Sequence, residues 1–230
     1  MVKKINIVFI LIVLSFTYCK SDNNKKTKSV QESPEFKGVL IGKPLESIQS
    51  KELQLGNKLE FKVVEIINID INGDNKNDAI TLEQIKDWGD PGDFHKVTIK
   101  IAGKDERTFF NSSGWVAIGG YETQFVGNLL TEAIYKSKYI SLQKVSNSEI
   151  LLFCFGYVYA SQPGLLSIIN LTNPNNAELI FNDNFYLYKL KDIDNDNKKD
   201  IIVTKDDVEE ISDKSNLKSF KLLNGWYQEK

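Results

Sequence analysis

Two nine-residue stretches of this chain are near copies of one another, and they restrict its folding more than any other feature. They are Asp70-Ile71-Asn72-Gly73-Asp74-Asn75-Lys76-Asn77-Asp78 and Asp192-Ile193-Asp194-Asn195-Asp196-Asn197-Lys198-Lys199-Asp200. Side-chain oxygens recur at loop positions 1, 3, 5 and 9. That spacing lets alternate residues of a tight loop turn their oxygens inward around a cation, while the position-7 carbonyl adds a backbone ligand. The expected ligand sets are Asp70, Asn72, Asp74, Lys76 and Asp78, and Asp192, Asp194, Asp196, Lys198 and Asp200. Hard oxygen donors without a thiol or imidazole suit Ca2+ over zinc or copper. The second loop carries four carboxylates and the first carries three with one amide, so the second is expected to bind more tightly. An Asx-rich turn that needs no metal is the plainer reading of either loop alone. Each loop also follows an apolar run and leads at once into a β-branched one, at 79–82 and 201–204. This joint recurrence of loop and flanks favours the metal.

The first residues read as an address. Met1-Val2-Lys3-Lys4 is basic, and residues 5–16 form an apolar stretch of the length of a signal-peptide core. That stretch is short of the roughly 20 residues a membrane helix needs. Cys19 follows, then a run of lysine, serine, aspartate and asparagine. This order resembles a bacterial lipoprotein signal, with Phe16-Thr17-Tyr18 in place of the usual small residues. The resemblance implies a signal peptide at 1–18 and a lipid on Cys19, ahead of a polar tether at 19–35, with the β domain expected at 36–230. It also implies membrane attachment through the N-terminal lipid, at the outer membrane or cell surface. The other cysteine, Cys154, sits in an apolar run and is expected to be a small buried hydrophobe.

From Phe36 onward, short runs of β-branched and aromatic residues alternate with Asn, Gly, Asp and Ser clusters, the pattern of a mainly β domain. Strands are expected at 59–71, 79–82, 97–101, 115–118, 139–142, 150–159, 165–171, 185–190, 201–204 and 220–227. Short helices are expected near 129–136 and 206–211. A weaker third copy of the strand–loop–strand unit, lacking the acids, lies at 142–153. Repeated units of this kind suggest an array, which needs about three members for stability. The formal net charge of −2 gives no electrostatic reason for nucleic-acid binding.

The acidic loops resemble the Asp-x-Asp-x-Asp-Gly-x-x-Asp units of FG-GAP/VCBS repeats, over two stretches of about 25 residues each. The resemblance implies antiparallel sheets of propeller-blade-like repeats, forming an incomplete propeller or a β-sandwich, with calcium held in a hairpin loop. Asn75 and Asn197 stand where that family has glycine, and asparagine tolerates the left-handed conformation such a turn requires. An EF-hand is excluded, because its bidentate glutamate at position 12 is replaced by Thr81 and Val203. An enclosed ion of this type is expected to be structural.

The most unusual remaining segment contains Asp87, Trp88, Asp90, Asp93 and His95, a Gly/Pro turn that offers a possible ligand loop. A turn with Trp88 folded onto the sheet edge is the plainer reading. No residue pattern assigns a catalytic group. The sequence therefore predicts a monomeric, lipid-anchored interaction module of the adhesion type, with an extracellular protein or glycan as partner. The alternatives are a calcium-dependent hydrolase using residues 87–95, or a purely structural envelope protein.

Overall fold

Valine, isoleucine and aromatic residues suit a pleated, half-buried surface, and the runs rich in them are strands. The computed structural model describes residues 46–89, 92–120, 133–157, 163–172, 177–205, 217–223 and 226–229. Helix α1 (Glu46–Gly56) precedes β1 (Phe61–Ile69), β2 (Asp78–Ile85), β3 (Phe94–Lys100) and β4 (Arg107–Trp115), which form the first sheet. After a 3-10 turn at Ile118–Gly120 come β5 (Ala133–Lys136), β6 (Ile140–Lys144), β7 (Ile150–Phe155), β8 (Leu165–Asn170) and β9 (Glu178–Asn184), the middle sheet. The third sheet is β10 (Tyr186–Lys191), β11 (Asp200–Thr204), β12 (Lys218–Leu223) and β13 (Trp226–Glu229).

The protein is mainly β. Each sheet is an antiparallel meander in which sequential strands are neighbours, and among the described residues the sheets do not close into a barrel. This is the succession of blade-like units found in an incomplete propeller or a sandwich. The middle sheet is buried on both faces. Leu151, Phe153 and Phe155 point into a core shared with Leu187, Ile201, Val203, Phe220, Leu222 and Tyr227 of the third sheet. On the opposite face, Ser167 accepts a hydrogen bond from the Trp115 indole of β4 at 2.9 Å and donates to Asn182 at 2.7 Å. Phe94 stacks on Trp115 at 5.4 Å, which continues that contact into the first sheet. The backbone joins the sheets as well, where the Val116 amide donates to Phe155 at 2.7 Å.

Several expectations change. Residues 133–136, expected to be helical, are strand β5. Ala133 and Tyr135 are half-buried while Ile134 and Lys136 are exposed, and this period of two pairs with β6. The run expected at 115–118 begins earlier, at Arg107, and ends at Trp115. Leu59 precedes β1 and is exposed. Cys154 is buried as expected, and burial pushes its thiol far above the ordinary range. The signal segment, Cys19, the tether and residues 206–211 lie outside the described residues. No helix among the described residues is long and apolar enough to cross a membrane.

Candidate metal centres in two equivalent hairpins

Both acidic stretches connect the first and second strands of a four-stranded meander, β1 to β2 and β10 to β11. The closing cross-strand pairs are also equivalent, Ile69 with Asp78 and Lys191 with Asp200. In the middle sheet, the stretch expected to be a weaker copy joins the second and third strands, where the acidic loops join the first and second. Its β6–β7 hairpin closes on the pair Lys144 and Ile150 and holds a short serine-rich turn with a single acid, the buried Glu149. The five-stranded middle sheet lies between the two acidic loops along the chain.

The two acidic loops have the same internal wiring. The position-1 carboxylate caps three successive amides. Asp70 accepts from Gly73 at 2.7 Å, Asp74 at 3.1 Å and Asn75 at 2.8 Å. Asp192 accepts from Asn195, Asp196 and Asn197 at 2.7, 3.3 and 2.9 Å. The position-5 carboxylates of Asp74 and Asp196 accept from Lys76 and Lys198 at 2.8 and 2.9 Å. The position-9 carboxylates of Asp78 and Asp200 are buried and accept from Ile71 and Ile193 at 2.8 and 3.2 Å. Positions 4 and 6 are left-handed in both loops. Gly73 and Asn75 have φ of 78° and 63°, and Asn195 and Asn197 have 63° and 66°. Asparagine thus adopts the left-handed conformation at position 6 of both loops.

The surroundings of the loops differ. In the second, Asp192, Asp194 and Asp200 each bring a carboxylate oxygen within 4.8 Å of the others. Oxygens bound to one ion at 2.3–2.6 Å lie no more than about 5 Å apart, so this donor set fits a calcium ion. Among the described residues, the first loop shows no such convergence of three carboxylates. Its Asp74 side chain instead meets the Asn72 amide at 3.3 Å. A cationic group already faces the second loop. The Lys221 ammonium, from β12, bonds Asp194 and lies 3.0 Å from Asp196. Its hydrogen bonds to Asp194 and then Asp196 hold it above the ordinary lysine range.

The rim of the second loop also contacts the middle hairpin. Lys199 donates its amide to Val145 at 2.8 Å, and Lys198 pairs with buried Glu149 at 3.2 Å. Beneath the loop, the buried Tyr227 phenol donates to the Lys199 carbonyl at 3.1 Å. Burial, then the charges of Asp200 and Glu149, raise that phenol well above its usual pKa. The second loop is thus set in a negative field, answered by Lys198 and Lys221. The distant residues Lys221, Glu149 and Tyr227 were not legible as parts of the site, because cross-strand register brings them there.

The segment 87–95 is built differently. Asp90 lies outside the described residues. Asp87 has φ of 58° and Trp88 is half-buried, its ring 4.5 Å from that of His95. Asp93 accepts from the Ala117 amide at 2.6 Å, tying this turn to the chain after β4. His95 is wholly buried, and its Nδ1 accepts from the Ile85 amide at 3.4 Å. Burial lowers its pKa to about 4, so the ring is neutral near pH 7. Its other nitrogen faces Gly114 (φ 77°), where an added Cβ would lie only 3.0 Å away. These contacts fold Trp88 and His95 into the sheet edge. Comparison of the chain with protein-family models, with curated proteins and with solved structures finds no match.

Proposed function

We propose that this protein is a lipid-anchored lipoprotein of the cell envelope, related in its repeats to FG-GAP/VCBS proteins. In this reading, two structural calcium ions brace it as a surface interaction module. The observation that carries the calcium reading is the matched hydrogen-bond wiring of two loops at equivalent hairpins, one of them with three carboxylates converging. The residues that would hold the ions are Asp70, Asn72, Asp74, Asp78 and the Lys76 carbonyl, and Asp192, Asp194, Asp196, Asp200 and the Lys198 carbonyl. A bound ion would neutralise carboxylates that otherwise repel one another, fixing the hairpin tip against its sheet. Enclosed in this way it has a bracing role and no open position for a substrate.

The anchor rests on the sequence pattern at 1–19, and the adhesion role on the combination of anchor and braced β-sheets. A protein or glycan partner fits this arrangement, with the monomer as the acting unit. His95 and Trp88 are used in packing, so the hydrolase alternative would have to draw its base from the carboxylates of that segment.

Thermal unfolding in EDTA and then in rising calcium tests the metal. A ligand that binds the folded state at a hundredfold excess over Kd stabilises by about 2.7 kcal/mol. The expected result is a calcium-dependent rise in Tm that shrinks in Asp74→Ala and again in Asp196→Ala. Unchanged melting in about 5 mM calcium, above the range of extracellular modules, would reduce both loops to plain turns. Labelling with radioactive palmitate in a bacterial host, lost in Cys19→Ala, tests the anchor independently.

A further inference from the structure

We propose that Lys221 is a tethered counter-ion that competes with calcium in the second loop, so the first loop fills at lower calcium than the second. The inference rests on the calcium reading and concerns how that site is regulated.

Lys221 reaches the loop from β12, the strand beside β11, across 27 residues of sequence. Its ammonium bridges Asp194 and Asp196, at loop positions 3 and 5. Those carboxylates are two of the four that the second loop offers. Calcium requires six to eight oxygens, including carboxylates in direct contact. An ammonium bonded to both must leave before both can close on the ion. A lysine has a flexible four-carbon stem and three rotatable donors, and is suited to such an exchange. Its side chain is 21% exposed, so the route outward is open.

The first loop has a different partner at the same place. Asp74 meets the neutral amide of Asn72, itself an expected ligand, so among the described residues no positive charge has to be displaced. Counting carboxylates alone ranks the second loop as the tighter site. Counting the lysine reverses the order at low calcium, because the first charge displaced from the second loop is one the protein itself supplies.

The test is calorimetric calcium titration of the full-length protein in an Asp74→Ala background, which leaves the second loop to report. Adding Lys221→Met removes the charge and keeps most of the stem. Calcium binding at the second loop should tighten by about tenfold or more, the scale of removing one direct charge competitor. An unchanged or weaker affinity would overturn the competition while leaving the calcium reading intact. No binding with either lysine or methionine present would overturn both. Lys221→Arg gives a second measurement that is independent of how well the methionine variant folds. Its guanidinium fork holds both carboxylates more firmly, so calcium binding should weaken, and an unchanged affinity would again defeat the proposal.

Discussion

The hairpin at 70–78 and the hairpin at 192–200 share a backbone but not an environment. In both, one carboxylate caps three amides and asparagine or glycine takes the two left-handed positions. The first is steadied from its own sheet by the Ala102 amide, which donates to Asp78 at 2.9 Å. The second is enclosed by charge, with Lys221 across its mouth and Lys198 turned outward to Glu149. The contrast separates two tasks. Local sequence builds the loop, and the neighbouring strands set the charge around its carboxylates.

The largest expected difference between the two regions concerns acid. Only the first sheet contains a histidine, the buried His95. Its folded pKa of about 4 lies below the unfolded value of 6.5, so the unfolded chain binds the extra proton first. Its contribution is complete above pH 6.5 and is lost as the pH falls toward 4. The loss should be of the order of 3 kcal/mol. Urea titrations at pH 7 and pH 4.5 measure it, and His95→Gln should flatten that difference.

Next in size are the capping carboxylates. Asp70→Ala and Asp192→Ala should each lower stability in EDTA by about 2 kcal/mol, because several backbone amides lose a charged acceptor. Equal losses would show that the wiring acts without metal in both loops. A much smaller loss at Asp192 would mean that relief of carboxylate repulsion offsets the missing cap.

The smallest effects belong to the left-handed positions. Asn75→Ala and Asn197→Ala should cost about 1 kcal/mol each, and the glycine variants should be close to neutral. Chemical denaturation of the four variants, done in parallel, asks whether the two turns are as alike in energy as they are in φ.

Much of the strand pattern was readable in advance because β-branched runs ended at turn-forming residues. The loop wiring was also foreshadowed by the oxygen spacing, down to the asparagines at position 6. Helix α1 escaped because Glu46-Ser47-Ile48-Gln49-Ser50 opens it with few apolar residues. What places it is contact with the sheet, where Gly56 sits against the Phe110 ring. Strand β9 escaped because Asn182, Asp183 and Asn184 read as a turn, although pairing with β8 extends them. The closing run 220–227 gave no sign of its division into β12 and β13, which pair as a hairpin. Lys221 is the most telling omission. As one lysine among many in the sequence it looks like solvated surface, and only strand register carries it to the acids.

A single residue, Phe185, joins the last strand of the middle sheet to the first strand of the third. Its ring is buried in their shared core, 6.2 Å from Phe181 and 6.0 Å from Phe220. A connector of one residue leaves no slack. Added length there would pull an aromatic ring out of the core, whereas added length at an exposed hairpin tip costs mainly loop entropy. An epitope tag, a reporter domain or a circular-permutation break should therefore be rejected at 184–186 and accepted at the β6–β7 turn around Asn147 and Ser148. That makes the β6–β7 hairpin the natural port for engineering this scaffold.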